Sequence, residues 1–117
     1  MSPLQLNLVV LRVADIEISA RFYEALGISF TPEQHGKGPR HLSGHAGRVL
    51  LEIYPAVDGL TTRALRLGFS IPSMDKALAN ITPAGGSVLS EPKASEWGVR
   101  AVVVDPDGHK IELIESC

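Results

Sequence analysis

The chain has 117 residues, too few for two independent cores, so residues 1–117 are read as one domain. Hydrophobic residues make up 44% of it, which excludes a disordered polymer. The net charge of −2, with lysines and arginines scattered, excludes a phosphate-tracking surface, so no nucleic-acid partner is expected.

The segment from Met1 to Leu6 has no basic stretch before its apolar run, and Asn7 and Arg12 break that run. It reads as the approach to a strand, with no membrane partner. A strand is expected over Leu6 to Val13, ending at Asp15, whose carboxylate suits a helix N-cap. The stripe Ile16, Ala20, Tyr23 and Leu26 then predicts a helix stopped by Gly27. Strands follow at 28–31, 40–45 and 48–54, with His35-Gly36-Lys37-Gly38-Pro39 as a loop that lacks the strand-turn-helix setting of a phosphate site. Leu65 to Ile71 is the fifth strand, and Ser73 caps a second helix bearing Met74, Ala77, Leu78 and Ile81. Strands are expected at 87–90, 99–104 and 110–114. The last two are joined by Asp105-Pro106-Asp107-Gly108, where Pro106 presets one dihedral and Gly108 tolerates a positive one. Cys117 cannot build a disulfide framework alone, which suits a reducing, cytoplasmic compartment. A terminal thiol without a neighbouring base is also a poor nucleophile.

The order repeats. Val13 to Ile71, Asp15 to Ser73 and Gly27 to Gly85 are each 58 positions apart, and Glu52 to Glu112 is 60. This implies an α+β fold of two tandem βαβββ modules, about 5–56 and 63–116. Their sheets are expected to curve into a mixed-sheet cup with one helix behind each. Alternation puts Leu65, Leu67, Phe69 and Ile71 on the helix side of the fifth strand, and Arg66, Gly68 and Ser70 on the cup side. By the same parity Leu8, Val10 and Arg12 share a face of the first strand. Glu52 and Glu112 are lone acids amid apolar neighbours, at equivalent places on the last strand of each module.

Residues 8–15 (Leu8-Val9-Val10-Leu11-Arg12-Val13-Ala14-Asp15), 22–27 (Phe22-Tyr23-Glu24-Ala25-Leu26-Gly27), 50–54 (Leu50-Leu51-Glu52-Ile53-Tyr54) and 97–113 (from Trp97-Gly98-Val99-Arg100 through Asp105-Pro106-Asp107-Gly108 to Leu113) carry a family resemblance. Through them the chain resembles the vicinal oxygen chelate superfamily, that is, the glyoxalase/bleomycin resistance/extradiol dioxygenase fold. The resemblance covers nearly the whole chain and is specific for the fold, but it leaves the reaction open. It implies four symmetry-paired ligand positions for a divalent metal, which fall here on Leu8, Glu52, Arg66 and Glu112. Leucine has no donor atom and arginine stays protonated, so no metal is expected there. Arg66 is expected to stand in for the metal, pairing with Glu112 or Glu52, with a structural role weighed above a catalytic one. The resemblance also places Arg12 where glyoxalase I proteins bind a glutathione carboxylate.

Three functional readings follow. The first is a metal-independent, small-molecule-binding homodimer of the bleomycin resistance type. Its cup would be lined by Arg12, Leu8, Val10, Tyr54, Gly68, Trp97 and His41, and would take a small organic molecule, partly apolar and anionic. The second is a metal-dependent glyoxalase I-like lyase or extradiol-dioxygenase-like enzyme, using Glu52 and Glu112 with unexpected donors such as His41 or His45. The third is metal-free acid/base catalysis by Glu52 or Glu112 with Arg66. His41, Ser43 and His45 share one strand face, but the two histidines are about 13 Å apart at ~3.3 Å per residue and cannot chelate one ion. Both read more simply as surface residues, His109 as an exposed turn residue, Trp97 as the start of the seventh strand, and Tyr23 as packing.

Overall fold

The computed structural model describes residues 3–116. Cys117, and the expectation about its thiol, lie outside the described residues. The first βαβββ module comprises β1 (Leu8–Val13), α1 (Ile16–Ala25), β2 (Phe30–Glu33), β3 (His41–Ala46) and β4 (Val49–Pro55). The second comprises β5 (Arg66–Ile71), α2 (Met74–Ile81), β6 (Ser87–Ser95), β7 (Gly98–Val104) and β8 (Lys110–Glu115). Each module builds a four-stranded mixed sheet, β1-β4-β3-β2 and β5-β8-β7-β6. The first strand of each runs parallel to the last, with Val10 opposite Glu52 and Gly68 opposite Glu112, and the remaining pairs are antiparallel.

Both helices start where the caps predict. The Asp15 carboxylate accepts from the backbone N–H groups of Glu17 and Ile18 at 3.0 and 3.1 Å. Ser73 accepts from that of Lys76 at 3.3 Å. These bonds satisfy donors that have no partner within the helix. The helices cover the apolar parity of the sheets: Leu11, Val13, Ile53, Ile111 and Leu113 are fully buried, together with Phe22, Tyr23 and Ile81. Each such side chain contributes about 1.5–3 kcal/mol relative to exposure. No helix among the described residues is long and apolar enough to cross a membrane.

The modules meet through α1 and the β7–β8 turn. Tyr23 stacks edge-on with Phe22 at 4.9 Å and leans on Phe69 of the other module at 6.2 Å. Its hydroxyl donates to Asp105 Oδ2 at 2.6 Å. Asp105 Oδ1 also accepts the backbone N–H groups of Asp107 and His109 at 3.0 and 2.9 Å. His109 Nδ1 lies 2.9 Å from Asp105 Oδ2, and its Nε2 lies 2.8 Å from Thr62 Oγ1. Thr62 in turn accepts from the Arg12 backbone N–H at 3.0 Å, and Asp107 accepts from that of Ala14 at 2.8 Å. The turn of the second module is therefore bolted to the first. Burial, and then the adjacent Asp105 charge, push the Tyr23 hydroxyl well above its ordinary pKa. Burial alone would raise the Asp105 carboxyl, but the hydrogen bonds from His109 and Tyr23 outweigh it and hold the group below the usual carboxylate range.

Three expectations change here. His109, expected at the surface, is fully buried because its turn faces the seam between modules, where both ring nitrogens find partners. Strand β6 runs on to Ser95, past the expected end at Ser90. Pro92 is tolerated because β6 is an edge strand whose register slips between Ser90 and Lys93. Trp97 therefore sits in the β6–β7 turn and is 64% exposed.

Candidate functional site on the cup faces

Register defines the sheet faces turned away from the helices. In the first module Val10, Ser43 and Glu52 lie abreast, as do Arg12 and Tyr54, and Glu33 is paired with His41. A row of stacked groups crosses this face. The His35 ring lies 5.1 Å from that of His41, His41 is stacked on Tyr54 at 4.1 Å with planes within 8°, and the Arg12 guanidinium sits over Tyr54 at 4.7 Å. Arg12 Nη1 also donates to the Pro55 carbonyl at 3.3 Å, which anchors it above the ring. The row carries a cation at one end and a flat, half-buried phenol in the middle.

His41 is 1% exposed, contrary to a surface reading, because Glu33, Glu52 and Tyr54 enclose it. Its Nε2 lies 3.4 Å from Glu33 Oε1, 3.7 Å from Glu52 Oε2 and 3.3 Å from the Tyr54 hydroxyl. His45, on the same strand face, is exposed. Leu8 is 44% exposed and Val10 is half-buried, so β1 contributes apolar surface to this face.

In the second module Glu112 has a different partner from the one expected. Arg100 Nε donates to Glu112 Oε1 at 2.5 Å, whereas Arg66 is exposed and makes no ion pair among the described residues. The reason is register: β7 and β8 pair Val102 with Glu112, so Arg100, one step along the same face, reaches the carboxylate. Arg66 stands opposite Lys110 instead. Gly68 stands opposite Glu112, where a Cβ would lie at ordinary contact distance, 3.6 Å, from Oε2. A concavity of about 680 Å³ lies over this face, lined by Ser95, Trp97, Arg100, Glu112 and Ile114. All five belong to the second module, so Glu52 and Glu112 do not share it. A separate crevice of about 440 Å³ opens on the helix side between the modules, lined chiefly by apolar residues such as Val9, Leu51, Leu67 and Phe69. It gathers few polar groups, so the cup faces are the chemically equipped surfaces.

The four paired ligand positions do not suit a divalent metal. Leu8 offers no donor, Arg66 brings fixed positive charge, and Arg100 already holds one Glu112 oxygen. Among the described residues the cluster with metal-ligand chemistry is Glu33, His35 and His41, which sequence reasoning did not assemble.

Two βαβββ modules, each closing a four-stranded mixed sheet behind one helix, define the α+β fold class of the chain. The model of the Glyoxalase/Bleomycin resistance protein/Dioxygenase superfamily matches residues 5–113, and the chain belongs to that superfamily. An antibiotic binding protein from Streptomyces sp. CB03234 is 26% identical with a TM-score of 0.77, covering 100% of this chain and 99% of that one. A glyoxalase/bleomycin resistance protein from the same organism is 27% identical with a TM-score of 0.72, covering 94% and 99%. An uncharacterized protein of Mycolicibacterium smegmatis is 28% identical over 109 residues, 93% of this chain and 91% of that one.

Proposed function

We propose that this protein binds a small, partly apolar, anionic organic molecule on its cup faces, without a metal at the four paired positions. The observation that carries the reading is the state of those positions: two lack a donor, and a third is ion-paired to Arg100. What remains is binding equipment. Arg12 and Tyr54 form a cation-tipped aromatic platform on one face, and Trp97 rims the other. Similarity to an antibiotic binding protein supports the same reading.

The protein acts in the cytoplasm as a homodimer, the second copy setting a first-module face opposite a second-module face. The dimer is supported by the exposure of Leu8 and Trp97 at 44% and 64%, apolar surface that a partner would cover, and by the separation of the two acids. The test is a thermal-shift screen of planar aromatic antibiotics and aromatic carboxylates in the presence of a chelator, with the mass in solution measured alongside. A ligand at one hundred times its Kd stabilises by about 2.7 kcal/mol, or about 10 °C for a domain of this size. A monomer with no stabilising hit across the panel contradicts the reading.

A further inference from the structure

We infer that Glu33, His35 and His41 form a binding site for one zinc-class divalent cation at the β2–β3 side of the first module. The site is distinct from the four paired positions.

The first argument is spacing. Donors about 2.1 Å from a tetrahedral ion stand about 3.4 Å from one another. Glu33 Oε1 lies 3.4 Å from His41 Nε2 and 3.7 Å from His35 Nε2. The ligand atoms of Glu33, His35 and His41 all fall within 4.8 Å of one another.

The second argument is the orientation of His41. Its Nδ1 lies 3.2 Å from the Pro39 carbonyl, an oxygen that can only accept, so Nδ1 carries the hydrogen. Nε2, in a residue 1% exposed, then points toward two carboxylate oxygens. That arrangement holds a positive charge between the three atoms, supplied by a proton on Nε2 or, once an ion binds, by the metal that displaces it. The Tyr54 hydroxyl approaches the same nitrogen at 3.3 Å from a ring stacked on His41 with planes within 8°. A histidine whose second nitrogen is fixed by a backbone carbonyl is the usual arrangement of a metal ligand.

The third argument is charge and access. One carboxylate and two imidazoles leave a tetrahedral ion a fourth position for water, and this mixed nitrogen and oxygen set suits zinc over magnesium or calcium. Glu33 and His35 have side chains 39% and 75% exposed, so an ion can enter, while His41 and Glu52, at 1% and 14%, form the floor. Gly36, at φ 57°, turns the loop immediately after His35.

The test uses the full chain, stripped with a chelator and titrated with zinc chloride by calorimetry, then with cobalt(II) to read geometry from its visible spectrum. One equivalent, with the intense visible bands of a tetrahedral cobalt site, is expected. His35→Gln and Glu33→Gln alter partly exposed side chains and so should fold. They should weaken binding by more than the ~10–100-fold that loss of an outer-shell partner costs. His41→Ala should abolish it, with circular dichroism confirming the fold. Glu112→Gln should bind as wild type. No uptake, uptake unchanged in the His35 and Glu33 variants, or uptake lost in Glu112→Gln each overturns the assignment.

Discussion

Tyr23→Phe isolates the bolt between the modules. The substitution keeps the ring that packs against Phe22 and Phe69 and removes only the hydroxyl that donates to Asp105 at 2.6 Å. A hydrogen bond to a buried charge contributes about 1.5–3 kcal/mol, so a loss of about 2 kcal/mol is expected at pH 7. With an unfolding entropy of about 2.1 cal/mol/K per residue, the melting temperature should fall by about 8 °C. The loss should also depend on pH. The folded Asp105 carboxyl titrates below its ordinary value. Its contribution is therefore complete above about pH 4 and is lost as pH falls through the folded pKa. Tyr23 supplies part of that depression, so the gap between wild type and variant should narrow in acid. Urea unfolding of both proteins from pH 7 down to pH 2.5 measures this. A loss under about 0.5 kcal/mol at pH 7, or one that stays constant into acid, refutes the reasoning.

The other predictions concern single contacts. Gly98→Ala places a Cβ 2.2 Å from the Glu115 carbonyl oxygen at a φ of 125°, and backbone cannot swing aside. A loss of at least ~3 kcal/mol by chemical denaturation is expected, and a loss under ~1 kcal/mol contradicts the packing. Ser19→Ala removes a buried hydroxyl with no hydrogen-bond partner among the described residues, within α1. Stability should stay level or rise by up to ~1 kcal/mol in the same assay, and a clear loss would show that the hydroxyl has a partner. Arg100→Gln frees a Glu112 oxygen and removes a cation from the Trp97 concavity. In the thermal-shift assay it should weaken anionic hits about tenfold or more while leaving neutral ones unchanged.

The fold was legible because the two modules use the same punctuation: an acid or hydroxyl cap after β1 and β5, glycine after each helix, and strand parity on either side of both. Where these signals gave out, so did the expectations. Pro92 and its polar neighbours hid the outer half of β6, which persists as an edge strand because an edge does not need every donor. His109 reads as a surface residue from its turn alone. Only docking against α1 and Thr62 shows why an acid and a histidine four positions apart belong together. The Glu112 partner depends on the register of β7 against β8, which no spacing in the chain reveals, so the sequence points to Arg66 where the fold supplies Arg100. The cluster around His41 draws Glu33 from the facing strand and His35 from the intervening loop, and so left no local motif.

The most direct test of the binding account is a fluorescence titration of Trp97, the single tryptophan, with the strongest thermal-shift hit, in chelator and then in excess zinc, nickel or iron(II). The account predicts a saturable change in chelator, with a Kd weakened by Arg12→Ala. Binding or turnover that appears only after metal is added, and is lost in both Glu52→Gln and Glu112→Gln, would contradict it and restore the oxygen-chelating enzyme.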